Sequence, residues 1–498
     1  MQTKTSLKLL KWTKKDYVNN VLVYAINVIV LLLLFLGGVA LSGNGAGSGL
    51  GKFFGRVQDL INFILMVILV AVVMFIYFYF EDRDFLKQAS NSEMLFLLLE
   101  LGIIICYFMG RFVSPYIRPL AFVAIMALYL TDCKSAILMN LLFNCLLAFF
   151  DSFSGTPALT TDETMTTVYL LGMGISSGII GVYCIKEVYS RIKLLLMSFI
   201  ISFPALVCVL IPILETGATD FFASLFATIF SGPLAASFLI IFLPIFEFSF
   251  KKVSCFRFNE LTDHKSALMK KLIKNAPGTF NHCMVVSNLA EACATAIGED
   301  AVLARTCAYY HDIGKIRRPE FFGENQMGGQ SLHDDLTPEL SANIIKAHTQ
   351  DGYSLIKKKR LPDIIADVCL QHHGTMPILY FYDKAKKFTD GEVSITNFSY
   401  QGVKPQTKIA AIIMIADGCE AAVRTLKDRS REKVTEVVNK IVNDRMQLGQ
   451  FDECEITIKE LNIIIHTIIN TLSGVYHSRI QYPKVSLNGL DLNSDGKK

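Results

Sequence analysis

Eight apolar runs fill the first 250 residues of the chain, at about 21–41, 60–80, 94–109, 119–130, 137–150, 168–185, 192–214 and 221–246. Most approach the roughly 20 residues that an α-helix needs to cross a hydrocarbon layer. Backbone inside lipid must satisfy its own hydrogen bonds, so runs of this kind predict a helical bundle. The third, fourth and fifth runs are short and read as tilted hairpins or a re-entrant pair. The count is eight spans, one plus seven, with the fourth the weakest. A hydrophobic share of 52% and a mean hydropathy of +0.42 are too high for an ordinary soluble protein. Most of the charge lies after residue 250, so the two halves belong in different solvents.

Positive charge orients the bundle. Lys4, Lys8, Lys11, Lys14 and Lys15 precede the first run, Lys186, Arg191 and Lys193 follow the sixth, and Lys251, Lys252 and Arg257 follow the eighth. The alternate loops at 151–165 and 215–220 are acidic and hold no Lys or Arg. Eight spans then leave both termini in the cytoplasm. Arg111 and Arg118 break the pattern, since both fall on the outer side. The first run has no convincing small-residue cleavage site and reads as a span, not a removable signal.

Several classes are disfavoured. No span carries a chain of Asp, Glu, His or Arg near its middle, which argues against a pump or secondary transporter. A net charge of +4 gives no nucleic-acid-binding surface. The 12 cysteines contain no C-x-x-C pair and read as reduced and structural. The loop 42–56 is glycine-rich and has nothing with which to fold alone.

From residue 260 the apolar spacing becomes that of water-exposed helices, through 338–349, 362–373, 404–426, 430–446 and 457–477. Pro277 and Pro338 read as helix starts, and Gly298, Gly352 and Gly374 as stops. Short β-prone pieces occur near 392–400. The chain is predicted to be all-α: a polytopic transmembrane bundle followed by a cytoplasmic all-α domain of seven or more helices. The divisions expected are 1–56 for the first span and its loop, 57–250 for seven spans, 251–485 for the cytoplasmic domain and 486–498 for a polar tail.

None of the nine histidines precedes residue 264. Five of them, His282, His311, His348, His372 and His373, fall in order with Asp312 and Asp417. Neutral imidazole with carboxylate suits first-row metals such as Fe, Mn, Zn or Co. An adjacent His311-Asp312 pair lets the imidazole hold one ion while the carboxylate bridges to a second. His282 and Asp417 complete the first shell, and His348, His372 and His373 the second. Two cations about 3.5–4 Å apart clamp a phosphoryl group for in-line attack. Without cysteines at ligand spacing, a structural zinc knuckle is not expected.

These stretches carry a resemblance. Gly-Thr-Phe-Asn-His (278–282), Tyr-Tyr-His-Asp-Ile-Gly-Lys (309–315), Arg-Pro-Glu-Phe-Phe-Gly-Glu-Asn-Gln (318–326), His-Asp-Asp-Leu-Thr-Pro (333–338), Gln-His-His-Gly-Thr (371–375) and Ala-Asp-Gly-Cys-Glu (416–420) resemble the seven-transmembrane HD-hydrolase family of the PgpH type. The likeness covers essentially all of 57–485. It implies an HD-superfamily phosphohydrolase domain, two divalent ions (Mn or Fe) on those seven ligands, and cyclic di-AMP as substrate, opened to 5′-pApA. It also implies a bacterial cell membrane and allows a homodimer. The family's large extracytoplasmic domain is replaced here by loop 42–56, lost in this lineage or deleted by design. Ser331-Leu332 stands in place of Asn-Pro, Ile409 in place of an acid, and Gly418 in place of serine.

Further residues are expected at the site. Lys315 is placed to hold phosphate and, with Asp312, to act in catalysis. Asn325 and Gln326 are candidate nucleotide donors, Tyr309 and Tyr310 candidate adenine platforms, and 388–408 a candidate lid. Each has a plain alternative: a solvated lysine, capping amides, core aromatics. Two other functions compete with the enzyme: a receptor that binds the dinucleotide without turnover, and a transporter regulated by its cytoplasmic domain.

Overall fold

The structure is a computed structural model that describes residues 12–42, 57–154, 163–216, 221–326, 331–388 and 392–475. Loop residues 43–56, the tail and the stretch 476–483 lie outside them. The first half forms eight principal helices: α1 (Lys14–Ser42), α2 (Val57–Glu81), α3 (Ala89–Phe112), α4 (Phe122–Leu130), α5 (Cys133–Ser154), α6 (Glu163–Ile185), α7 (Arg191–Thr216) and α8 (Phe221–Phe250). Among the described residues, seven helices are long and apolar enough to cross a membrane.

The exception is α4, with nine residues. The run it belongs to nevertheless reaches both ends of α5. Before its start, Arg118 donates twice to Asp151 near the end of α5, with Nη1–Oδ2 at 2.7 Å and Nη2–Oδ1 at 3.1 Å. At its other end, Tyr129 donates to the Val188 carbonyl just past α6 (3.0 Å). Asp132 then caps α5 by accepting from the Ser135 amide at 3.0 Å. From the start of α5 to Asp151 is about 27 Å at 1.5 Å per residue. The fourth run thus links the two ends of α5 through a short helix, a turn and one arginine, and has no helix long enough to cross a membrane. Arg118 is 1% exposed and matched by a carboxylate. That is why it departs from the loop-charge pattern: it is not a free positive charge in a loop.

Polar contacts align the remaining ends. Asn20 in α1 donates to the Leu86 carbonyl (3.0 Å) and accepts from Ser92 in α3 (3.0 Å). Glu81 at the end of α2 pairs with Lys134 at the start of α5 (2.6 Å). Lys252, just past α8, lies 4.6 Å over the Phe85 ring. The start of α1 and the end of α8 thus share one face, and the second domain leaves from it. Inside the bundle, small residues admit amides: Asn140 donates to the Ile175 carbonyl (2.9 Å), and a Cβ at Gly174 would sit 1.7 Å from the Asn144 side-chain oxygen. A single acidic residue, Glu100, is buried midway along α3.

Ten helices follow among the described residues: α9 (Cys255–Leu261), α10 (Ala267–Asn275), α11 (Pro277–Ile297), α12 (Ala301–Tyr310), α13 (Pro338–Lys358), α14 (Asp363–Gln371), α15 (Leu379–Phe388), α16 (Lys408–Thr425), α17 (Arg431–Gln447) and α18 (Ile458–Val475). The two hydrophobic cores meet within α9, where Phe256 packs into the first and Phe258 into the second. Asp300, Thr337 and Thr407 cap α12, α13 and α16 by accepting main-chain N–H groups. The expected stop at Gly298 holds, in the left-handed region at φ 79°. The one at Gly352 does not, because α13 runs on to Lys358. Gly352 is a packing residue instead. The backbone of Gly314 lies so close to α13 that an added Cβ would meet the His348 carbonyl oxygen at 2.0 Å and the Gly352 nitrogen at 2.5 Å. The β-prone stretch supplies one isolated bridge, Pro377 with Ser399.

Candidate metal centre

Seven side chains from five segments converge at the centre of the second domain. His282 comes from the second turn of α11, and His311 and Asp312 from the end of α12. His348 comes from the middle of α13, His372 and His373 from the end of α14, and Asp417 from the middle of α16. Six of them are at most 8% exposed, and the side chain of His373 is 24% exposed.

Asp312 divides the cluster. Its Oδ2 lies 3.4 Å from His311 Nε2 and 3.6 Å from His282 Nε2. Its Oδ1 lies 3.3 Å from His348 Nε2 and 3.6 Å from His372 Nε2. Asp417 joins the first set through Oδ1, 3.0 Å from His282 Nε2, and His373 Nδ1 lies 3.7 Å from its Oδ2. Ligands about 2.1 Å from a shared ion stand roughly 3.0–3.4 Å apart. Among the described residues the seven side chains supply two ion-sized groups, His282/His311/Asp417 and Asp312/His348/His372/His373, and a third, Cys283/His311/Asp312, overlaps both.

Hydrogen-bond roles test whether these groups fit cations. His311, His348 and His372 donate Nδ1–H to the carbonyls of Ala308 (2.6 Å), Ile345 (2.6 Å) and Val368 (3.2 Å). In each neutral ring Nε2 is then an acceptor. The Nε2 atoms of His348 and His372 face each other at 3.2 Å. His311 Nε2 and Asp312 Oδ1 are buried with no hydrogen-bond partner among the described residues. Buried acceptors facing acceptors are costly unless a cation lies between them.

Electrostatics points the same way. Burial opposes ionisation of Asp312 and Asp417. Lys315 and His311 around the first, and His282 and its neighbours around the second, outweigh it and hold both carboxyls well below their usual range. Burial also opposes charge on His282, but Asp417 and Glu420 raise that ring to about 10. The pocket takes up protons where no other cation supplies the charge.

Around the centre, the expected residues divide. Lys315 Nζ lies 2.6 Å from Asp312 Oδ2 and 2.9 Å from Glu324 Oε1, beside the cluster. Tyr309 and Tyr310 do not reach it. Both are 1% exposed in the core behind α12, and Tyr310 donates to the Leu261 carbonyl at 2.7 Å. The Asn325 amide is used internally: it accepts from the Thr279 amide (3.1 Å) and donates to the Thr279 hydroxyl (2.9 Å). Gln326 donates to the Glu320 carbonyl (2.9 Å) and is half-buried. Of the candidate lid 388–408, Tyr400 reaches the centre, its ring stacked on His373 at 4.4 Å, while Phe398 packs away from it against Phe381 and Ala385.

Three neighbours had gone unread. Glu324, on a 3-10 turn, ties Lys315 to Thr279. Tyr400 follows an irregular segment that carries no periodic signal. Glu420 accepts from His282 Nδ1 and stands one helical turn past Asp417, a spacing that could have exposed it. Two of the departures from the family pattern, Gly418 and Ile409, also have places. A Cβ at Gly418 would meet the Arg445 guanidinium at 2.0 Å, and Ile409 is fully buried in the core, where an acid would have no water.

Comparison with known proteins places these features. Residues 57–254 match the family model described as a 7TM receptor with intracellular HD hydrolase, and residues 279–422 match the HD domain. The chain is 36% identical over 437 residues to the cyclic-di-AMP phosphodiesterase PgpH of Listeria monocytogenes, covering 86% of this chain and 59% of that protein. It is 34% identical over 438 residues to PgpH of Bacillus subtilis, covering 86% and 60%. The chain therefore spans about three fifths of the length of these relatives. Crystal structures of the L. monocytogenes PgpH HD domain align over 43% of this chain and 100% of theirs at 49% identity (TM-score 0.41). With cyclic-di-AMP bound, the figures are 44%, 100% and 50% (TM-score 0.42).

Proposed function

The chain belongs to the family of seven-transmembrane receptors with an intracellular HD hydrolase, and from that premise we propose that it is a membrane-embedded, two-metal phosphodiesterase acting on cyclic di-AMP. The observation that carries this reading is the Asp312 carboxylate, with one oxygen turned to each imidazole set. His282, His311 and Asp417 would hold one ion, and His348, His372 and His373 the other, with Asp312 shared. Manganese or iron suits this mixture of imidazole and carboxylate. When bound, two such ions supply Lewis acidity toward a phosphodiester and lower the pKa of water.

The chain's own groups have separate tasks. Asp312 stays ionised and would be shared between the two ions. Lys315 presents a fixed cation for a phosphate oxygen, and its ion pairs to Asp312 and Glu324 keep Nζ at the centre. The main-chain carbonyls of Ala308, Ile345 and Val368 hold the rings in the ligating tautomer. Addition of one water across one P–O3′ bond would give linear 5′-pApA. Gln326 is kept as a candidate contact for the nucleotide. The start of α1 and the end of α8 share one face, and Lys14, Lys15, Lys251 and Lys252 beside them favour that face as the cytoplasmic one, which supports both termini and the hydrolase domain being cytoplasmic in a bacterial cell membrane. The divisions 1–56, 57–250, 251–485 and 486–498 belong to the same proposal, as does a homodimer.

The test is full-length protein in detergent with Mn²⁺, given cyclic di-AMP or cyclic di-GMP, with products separated by chromatography. Conversion of cyclic di-AMP to pApA is expected. Saturable binding without product would replace the enzyme by a receptor.

A further inference from the structure

The imidazoles of the centre are not supported alike. His311, His348 and His372 give Nδ1–H to neutral main-chain carbonyls. His282 gives Nδ1–H to the carboxylate of Glu420, in a short contact between side chains 3% and 2% exposed. Glu420 is three residues past Asp417 on α16, so one helix face supplies both a metal-ligating oxygen and the support for the imidazole beside it. A carboxylate partner fixes the ring's orientation as a carbonyl does, and also raises the basicity of the ligating nitrogen. On the opposite side of Glu420, Arg424 Nη1 stands 3.9 Å from Oε1 and is partly exposed, so the carboxylate keeps its partner in His282.

Charge adds to the asymmetry. The first group contains Asp417 and faces the Asp312 oxygen that Lys315 also holds at 2.6 Å, with Glu420 behind it, so two added carboxylates stand there against one ammonium. The second group is three imidazoles around the other oxygen of Asp312, with Asp417 Oδ2 at its edge, 3.7 Å from His373. We infer that the two cation positions are unequal: the position built by His282, His311 and Asp417 fills first, and Glu420 is the positioning residue that makes it the tighter one. This rests on the two-metal reading of the centre and is independent of the substrate.

The test is metal binding, read apart from turnover. Full-length protein in detergent is stripped with chelator and titrated with Mn²⁺, following free Mn²⁺ by electron paramagnetic resonance. The wild type is expected to take up two ions in separated steps. Glu420→Gln keeps an acceptor for Nδ1–H and removes the charge. It should weaken the first step about 10–100-fold and leave the second within about twofold. A merely structural defect would weaken both steps together. His372→Ala should remove the second step and leave the first at its wild-type affinity, which decides the matter even if Glu420→Gln does not fold. One unresolved two-ion step, a first step untouched by Glu420→Gln, or survival of only the weaker step in His372→Ala overturns the inference. Assaying cyclic di-AMP on the same wild-type sample separates the readings: two ordered steps without hydrolysis would overturn the proposed function alone.

Discussion

His348 Nε2 and His372 Nε2 face each other at 3.2 Å, each on a ring whose Nδ1–H is already given to its own helix. Two lone pairs at that distance require a cation between them or a proton on one ring. His372→Ala should therefore reduce bound metal from two ions to one and lower hydrolysis of cyclic di-AMP by at least about 100-fold, the scale of a lost Lewis acid. Asp312→Ala, which removes an oxygen from both positions, should lose both ions while membrane insertion persists. Metal counting on purified protein checks both.

Lys315 is held by two carboxylates, Asp312 and Glu324. Burial opposes its charge, but Asp312 and Glu324 outweigh that and hold its ammonium above the usual lysine range. It stays charged at neutral pH. Lys315→Ala should lower kcat/KM by about 10–100-fold, the cost of roughly 1.4–2.7 kcal/mol in transition-state contact. Bound metal should remain at two. Equal kinetics in the variant would leave Lys315 a structural ion-pair partner only.

Metal affinity should depend on pH with a defined sign. In the metal-free protein His282 titrates at about 10, above the ordinary value of 6.5, because Asp417 and Glu420 overcome the effect of its burial. Near neutral pH a metal must displace that proton, and the proton competes less as pH rises toward 10. Mn²⁺ affinity should rise between about pH 6.5 and 10, with proton release seen as a buffer-dependent enthalpy in calorimetry. An affinity flat across that range would contradict the assignment.

The Arg118–Asp151 pair makes a prediction outside the second domain. Arg118→Met takes the guanidinium away from Asp151, a partly buried carboxylate, and should destabilise the membrane domain. The membrane domain should melt earlier in detergent, and adding Asp151→Asn should recover part of the loss. Metal content of the second domain should stay at the wild-type level.

Much of this was legible along the chain. Apolar length announced the membrane bundle, because lipid imposes one local rule on each span. The ordered His and Asp residues announced the metal chemistry, because few other uses gather those side chains. Tyr309 and Tyr310 were misread because adjacency to His311 says nothing about direction, and a helix turns neighbouring side chains by about 100°. Gly352 was misread as a stop because its purpose is the nearness of Gly314, 38 residues away by their numbering.

The sequence by itself determined the apolar spans and the helical class, since each follows from composition or local spacing, and it offered seven candidate ligands as an ordered set of His and Asp. Only the tertiary structure decided how Asp312 divides its two oxygens, which imidazole Glu420 supports, and that Arg118 meets Asp151 across the fourth run. Those relations join residues far apart in the chain. They depend on helix packing at ångström scale, and no local pattern encodes that.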